Sequence, residues 1–464
     1  MMQALTLSQL ATFLQADLRG ETAQRLISVD IDSRKLHVGS LFAALKGQRV
    51  DGHHFLDAAA AKGATAALVE EWQPSRLPQL RVKSVPAALG QLAAWNRNQF
   101  KQPLIAVTGN SGKTSVKEML AAVLSAHYGQ VLATRGNMNN ELGMPLTLLK
   151  LQPVHQAAVI ELGANHLGEI DYLAGLARPD IGMITNVTGA HLGEFGSMES
   201  IALAKGELLQ HLSISGCAVL NAEDAFFEFW QQRAQCPVLS FGLHRGDVRA
   251  EAIQLDHFGN PSFTAVTPWG SQQITLQLPG QHNIANALAV MAAAGQLGIP
   301  LALQANALGQ LQPVPGRLHR INAWGDALLL DDSYNASPGA VKSAINVLAA
   351  LPGKRLLALG SLAELGEATD AIHRELGRYA REAGLDGLYV LQGKANLAAE
   401  SFGAGAQIAA THAELADVLR PKMNHQTCLL VKGSRSAGME KLVNLLRAEV
   451  NTPASAVTNH KKMK

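Results

Sequence analysis

Cysteine is scarce in this chain: Cys217, Cys236 and Cys428 are the three thiols in 464 residues. They form no CxxC pair, so neither a zinc site nor a dithiol redox motif is supported. A sparse, odd set of thiols fits a reducing compartment, and the cytoplasm is the expected location. Excess charge is missing too. The formal net charge is +2, which gives no general attraction to nucleic acid. No nucleic-acid partner is expected, and any phosphate must be recognised by local loops. The opening stretch MMQALTLSQLATFLQADLRG has no basic start and no continuous apolar run, and reads as an amphipathic helix rather than a signal peptide. The longest apolar region, near 285–303, is interrupted by Gln296, Gly298 and Pro300. It reads as a buried helix, and no membrane span is expected. Internal repeats and low-complexity segments are absent.

What is present is length and alternation. A chain this long predicts about three domains. Up to about Phe100, short β-like runs (LISVDI, SLFAAL, AALVE) mix with Ala-rich helical stretches. The polar segment 95–103, closed by Pro103, marks a boundary. Beyond it LIAVTG, AAVIELG and IGMITNV alternate with helical segments, the pattern of a parallel sheet covered on both faces. QPVPGR at 312–317 is a second break. ALLLDDS, KRLLALGS, GLYVLQG and CLLVKGS then resume the alternation as a smaller doubly wound domain. The expected boundaries are 1–100, 101–314 and 315–464. The tail after Val450 is polar and reads as frayed.

LIAVTGNSGKTSVKEML joins an apolar strand to a helix through a Gly-containing turn. Gly109 and Gly112 let backbone N–H groups turn toward an anion, and the helix near Lys113 adds its positive end. Lys113 can neutralise β/γ-phosphate charge, and the Thr114 hydroxyl can ligate Mg²⁺. The GxxGKT spacing is two residues shorter than the common GxxxxGK[ST] form. Strand, turn, Lys-Thr and helix nevertheless fall in the order that nucleotide binding requires.

Other candidates sit at strand ends or helix starts. Glu161 closes AAVIEL and His191 follows IGMITNV, both at the edge that borders a ligand crevice. Taken singly, each reads as a surface group at a loop start, and Lys205 in ESIALAKGELL reads as a solvated lysine paired with a neighbouring glutamate. Asn283 and Asn286 share one helix face, either as caps or as contacts to a nucleotide base. Arg317 lies in the VPGRL turn, where it can reach a phosphate or pin a loop. Asp331 and Asp332 end ALLLDD.

Further strings fall into one series: TGNSGKTS, GNMNNELGMPLTLL, ELGANHLGEID, ITNVTGAHL, AKGELL, LPGQHNIANALAV, PGRL, DDSYNASP, LAELGE and LVKGSRSAGME. The set resembles the ATP-dependent Mur ligase family, and SVDIDSRKLHVGSLFAALKGQRVDGHHF is similar to that family's UDP-binding domain. The likeness covers nearly the whole chain except its tail. It implies three α/β domains: an N-terminal UDP-binding domain, a central P-loop ATPase-type parallel sheet and a C-terminal Rossmann-like domain. The implied activity is ATP-dependent addition of D-Ala-D-Ala to UDP-N-acetylmuramoyl-tripeptide through an acyl phosphate, in peptidoglycan synthesis, by a monomer.

The same resemblance assigns residues. Asp32, Ser33, Arg34, Gly52 and His53 match the segments that hold UDP. Asn137, Asn139, Asn140, Asn165 and His166 line the muramoyl-peptide channel. Thr108, Gly109, Asn110, Ser111, Gly112, Lys113 and Thr114 form the phosphate loop. Thr114, Glu161 and His191 match the Mg²⁺ set, and Lys205 matches a lysine that becomes carbamylated to serve a second Mg²⁺. Lys113, Lys205 and His191 are the implied catalytic groups. Asn283, Arg317 and Asp332 match ATP contacts, and Ser434 and Arg435 lie in the loop near the incoming dipeptide. Three positions depart from the family pattern: Ser361 replaces an acidic residue, Ser337 replaces asparagine, and Gly193-Glu194 reverses the expected order. The Asp-Asn-Pro-Arg motif of the sibling that adds the third amino acid is absent.

Overall fold

A computed structural model describes residues 4–21, 23–47, 50–188 and 192–447. His191 and the tail after Val450 lie outside them. The described residues form two compact units, one running to Gln312 and including Glu364–Gly366, the other beginning at Pro313. Among them stand three sheets, the layers of a three-domain α/β architecture.

The central sheet has nine strands, and its parallel part places Cys217–Asn221, Ile181–Ile184, Leu104–Thr108, Ala157–Glu161 and Val131–Ala133 side by side. Leu104–Thr108 is buried along its length. Leu104 and Ala106 point into one apolar core while Ile105 and Val107 point into another, as the two-residue period of a strand requires. On one face lie Lys113–Tyr128 and Gln281–Gln296, packed through Leu120, Leu124, Ile284 and Leu288. Gln281–Gln296 is apolar nearly all round because it is enclosed by the sheet and its neighbours. It stops before Gly298, and Leu301–Gly309 begins after Pro300, so the long apolar region is two helices. No helix among the described residues is long and apolar enough to cross a membrane.

The other face of the central sheet shares its core with the N-terminal domain. Leu10, Leu26, Leu89, Leu92 and Phe100 pack in one cluster with Leu148, Ile160, Ile170 and Leu173. The N-terminal sheet runs Asp17–Arg19, Gln79–Arg81, Ala64–Val69, Ser40–Ala43, Ser28–Asp30, with the first pair antiparallel. The polar segment 95–103 begins as the end of helix Val85–Gln99. Its polarity serves packing: Asn96 Nδ2 donates to Leu148 O (2.8 Å) and Leu151 O (3.1 Å), and Arg97 Nε donates to Ala177 O (2.7 Å).

The second unit carries a six-stranded sheet ordered His319–Asn322, Leu328–Asp332, Thr427–Lys432, Lys354–Leu359, Gly387–Leu391, Ala406–Ala409. All neighbours are parallel except the first pair. Asp332 and Lys432 therefore end adjacent strands in register.

Candidate functional site

The phosphate loop leaves the sheet at Thr108 and enters its helix at Lys113. Gly109 has φ +138° and Gly112 φ +83°, conformations that side chains resist. Space excludes a side chain as well: a Cβ at Gly109 would strike Thr185 Oγ1, and one at Gly112 would lie 2.6 Å from Asn286 Oδ1. The segment after strand Ile181–Ile184 straps the loop. Asn110 N donates to Asn186 O (2.9 Å), Ser111 N donates to Asn186 Oδ1 (3.0 Å), and Thr185 Oγ1 donates to Ser111 O (2.7 Å). Thr185 and Asn186 belong to the quoted string ITNVTGAHL, yet no spacing rule singles them out. Lys113 Nζ folds back onto Gly109 O (2.7 Å) and Asn110 O (3.2 Å), at the positive end of its helix.

Glu161 is buried at the end of its strand and is fixed from three sides. Thr114 Oγ1 donates to Oε2 (3.0 Å), Asn139 Nδ2 donates to Oε1 (2.8 Å), and Thr134 Oγ1 accepts from the Glu161 N–H (2.9 Å). A hydroxyl and a carboxylate beside a phosphate loop are the hard oxygen donors Mg²⁺ takes, with water and phosphate oxygens completing its shell. The donor set fits that ion. No group of three or more His, Cys, Asp or Glu suited to a metal stands together among the described residues.

Lys205 is buried at 1% exposure in helix Met198–Gly206. The solvated lysine–glutamate pair expected from the sequence is not what forms. Nζ donates to Ala164 O (3.2 Å) and lies 5.2 Å from the Phe195 ring centre. Burial, reinforced by the charge of Lys113, lowers its pKa from 10.5 to about 7, so a substantial neutral-amine fraction exists near neutral pH. Glu207 instead caps the neighbouring helix, accepting from Gly168 N (2.7 Å) and Asp171 N (3.0 Å). Glu169 holds the same loop through Asn165 N (2.7 Å) and His166 Nδ1 (2.9 Å). That carboxylate raises the pKa of exposed His166.

The remaining assignments of this unit occupy several settings. Asn283 Nδ2 donates to Pro279 O (2.9 Å), and Asn286 Nδ2 donates to Asn283 Oδ1 (3.1 Å). Neither side chain caps the helix; Asn286 abuts the phosphate loop. Asn140 Oδ1 accepts from Gly143 N (2.9 Å), while Asn137 is exposed. Asp32, one residue before Ser33, grips Arg34 Nε (2.8 Å) and Nη2 (3.0 Å), a pairing that holds its carboxyl well below the usual range. Gly52 passes so close to Leu45 that a Cβ would lie 2.7 Å from its N. His53 is buried with both ring nitrogens committed: Nε2 accepts from Glu70 N (3.0 Å), leaving Nδ1 to donate to Asp51 Oδ1 (2.7 Å).

In the second unit, Asp332 Oδ2 meets Lys432 Nζ at 2.5 Å, and its Oδ1 accepts from Leu318 N (3.2 Å). Asp331 serves a turn, accepting from Ser333 N and Gly316 N. The guanidiniums of Arg317 and Arg435 lie 4.6 and 5.8 Å from the Tyr334 ring centre. Ser434 Oγ donates to Ser361 O (2.6 Å). Ser337, one of the departures, accepts from Ala340 N as the cap of helix Pro338–Ala349; serine and asparagine rank together in that role.

Comparison with known proteins places these sites in a family. The Mur ligase middle domain matches residues 107–294 and the Mur ligase, glutamate ligase domain, matches 316–435. The Mur ligase family, catalytic domain, matches 26–97. The UDP-N-acetylmuramoyl-tripeptide–D-alanyl-D-alanine ligase of Escherichia coli K12 is 43% identical over 450 residues, 96% of this chain and 99% of that protein. A MurF crystal structure from Acinetobacter baumannii superposes with TM-score 0.89 at 36% identity, covering 96% of this chain and 98% of that one. MurF ligase from Thermotoga maritima in complex with ADP gives TM-score 0.82 at 29% identity, covering 90% and 96%. With three matched domains and near full-length similarity, the chain belongs to the Mur ligase family.

Proposed function

We propose that this chain is an ATP-dependent ligase that joins D-alanyl-D-alanine to UDP-N-acetylmuramoyl-tripeptide, an amide-forming step of peptidoglycan precursor synthesis. One observation carries the reading. A Gly-Lys-Thr phosphate loop and an oxygen pair suited to Mg²⁺ share the edge of the central sheet, within a domain that also buries Lys205. The names of the relatives supply the acceptor and the amine.

A peptide carboxylate is a poor acyl donor because its leaving group would be oxide. Transfer of the γ-phosphoryl group makes an acyl phosphate, from which the neutral amine of the dipeptide displaces phosphate. The Thr108–Thr114 segment would cradle the phosphates, with Lys113 leaving its loop carbonyls to meet the transferring group. Bound Mg²⁺ supplies positive charge opposite the phosphates. Thr114 and Glu161 would hold it, with His191 added by family resemblance. Lys205 would react as the neutral amine with CO₂, releasing a proton and forming a carbamate, a buried carboxylate for a second Mg²⁺. Asn283, Arg317 and Asp332 are proposed for ATP, and Ser434 and Arg435 for the dipeptide. Asp32, Ser33, Arg34, Gly52 and His53 are proposed for UDP, and Asn137, Asn139, Asn140, Asn165 and His166 for the muramoyl peptide. A cytoplasmic monomer completes the proposal.

Phosphate release from Mg-ATP tests it. Release that requires both the tripeptide precursor and D-Ala-D-Ala is the expected result. Release with a single amino acid would move the activity to a sibling ligase, and none with any amine would refute catalysis. Lys205→Ala is expected to lose roughly 10²-fold or more in turnover while binding the UDP precursor as before. Near-normal turnover would remove the carbamate role.

A further inference from the structure

We propose that Lys117 is a positioning residue of the ligase site, holding Glu161 and the asparagine loop in register with the phosphate-binding helix. Lys117 lies one turn beyond Lys113 on the same face of helix Lys113–Tyr128. It is buried at 1% exposure. Its Nζ donates to the Thr134 carbonyl (2.8 Å) and pairs with Glu118.

Thr134 is a junction. It follows strand Val131–Ala133 and precedes the loop that carries Asn137, Asn139 and Asn140. Its N–H donates to Val159 O (3.0 Å), and its hydroxyl accepts from Glu161 N (2.9 Å). Glu161 in turn takes the Asn139 amide on Oε1 and the Thr114 hydroxyl on Oε2. The Asn139 carbonyl then accepts from Gly163 N (2.8 Å). A closed circuit results, and Lys117 is where the helix grips the strand end on which both Glu161 and the loop depend.

Stability alone does not account for a lysine at this position. A methionine has a stem of similar reach and brings no amine that must be satisfied in the interior. Besides pairing with Glu118, the amine does what that stem cannot: it fixes the Thr134 carbonyl, and through Thr134 the backbone of Glu161. This assignment rests on the ligase reading of the site.

The test is Lys117→Met, assayed with the UDP precursor, D-Ala-D-Ala and Mg-ATP. Roughly tenfold loss of kcat is expected, with ADP binding within about twofold of wild type and only a small fall in melting temperature, the cost of the unmet Thr134 carbonyl. Thr134→Val removes the hydroxyl and is expected to lose a similar factor. The double variant should lose no more than the worse single one, because both act through one backbone group. Losses that multiply would overturn the assignment. So would ADP binding that falls in step with kcat, the signature of a loosened helix. An active wild type beside an equally active Lys117→Met would overturn Lys117 alone. A wild type that released no phosphate would overturn the ligase reading and this assignment with it.

Discussion

Two parallel strands in this molecule end on a buried or nearly buried carboxylate, and their neighbours treat the charge in opposite ways. Glu161, at the edge of the central sheet, is held by a threonine hydroxyl, an asparagine amide and, on its backbone, a second threonine. Those donors are neutral, and Lys113 and Lys205 donate to backbone carbonyls. Asp332, at the edge of the second unit's sheet, is matched directly by Lys432. A carboxylate oriented by neutral groups keeps its charge for a cation, whereas one paired with a buried lysine has spent most of its charge inside the fold. The same feature in sequence, an acidic residue closing an apolar strand, is therefore held by neutral donors in one domain and by a buried lysine in the other.

Glu161→Gln breaks the first half of that contrast. The amide preserves shape and removes the charge, so kcat should fall roughly 10³-fold, about 4 kcal/mol of transition-state stabilisation. Stability should fall by only about 1 kcal/mol, the cost of one mismatched hydrogen bond. Steady-state kinetics and thermal melting separate the two, and a variant keeping a tenth of its turnover would deny Glu161 its metal role. Lys432→Ala probes the other half. It leaves Asp332 with the Leu318 N–H and the more distant charge of Arg317, and the second unit should lose about 3 kcal/mol. A melting curve unchanged by Lys432→Ala would erase the distinction between the two edges.

The sequence made the strand ends, the phosphate loop and the helix that follows legible, because each is written in contiguous residues with a clear period. It also placed Glu161, Asp331 and Asp332 at sheet edges, where they stand. Partners were not legible. Thr134 and Thr114 reach Glu161 from 27 and 47 residues away, and Thr185 reaches Ser111 from 74; periodicity names the face a residue takes but not its neighbour. Lys205 shows the same limit. Its segment reads as helical with the lysine facing solvent, and only packing against Ala164 and Phe195 turns a nominally solvated lysine into a buried one.

The edges should also differ in their response to acid, and His373 gives the smallest and most specific test. It is fully buried in the second unit, with Nε2 accepting from Leu362 N (3.1 Å) and Nδ1 donating to Thr369 O (2.7 Å). Leu362 follows Ser361, whose carbonyl receives Ser434. Burial lowers the pKa of His373, outweighing the Thr369 carbonyl and Asp370, which favour the charged ring; Lys394 opposes it. Below the ordinary histidine range the unfolded chain takes up a proton that the folded ring refuses, so unfolding is favoured as pH falls. Between pH 7 and 5.5 wild type should lose up to about 1 kcal/mol per pH unit through this group, and His373→Gln should show a shallower slope in denaturant midpoint. Parallel slopes in the two proteins would mean that the folded ring takes up its proton over the same range as the unfolded one, and that His373 carries none of the acid response.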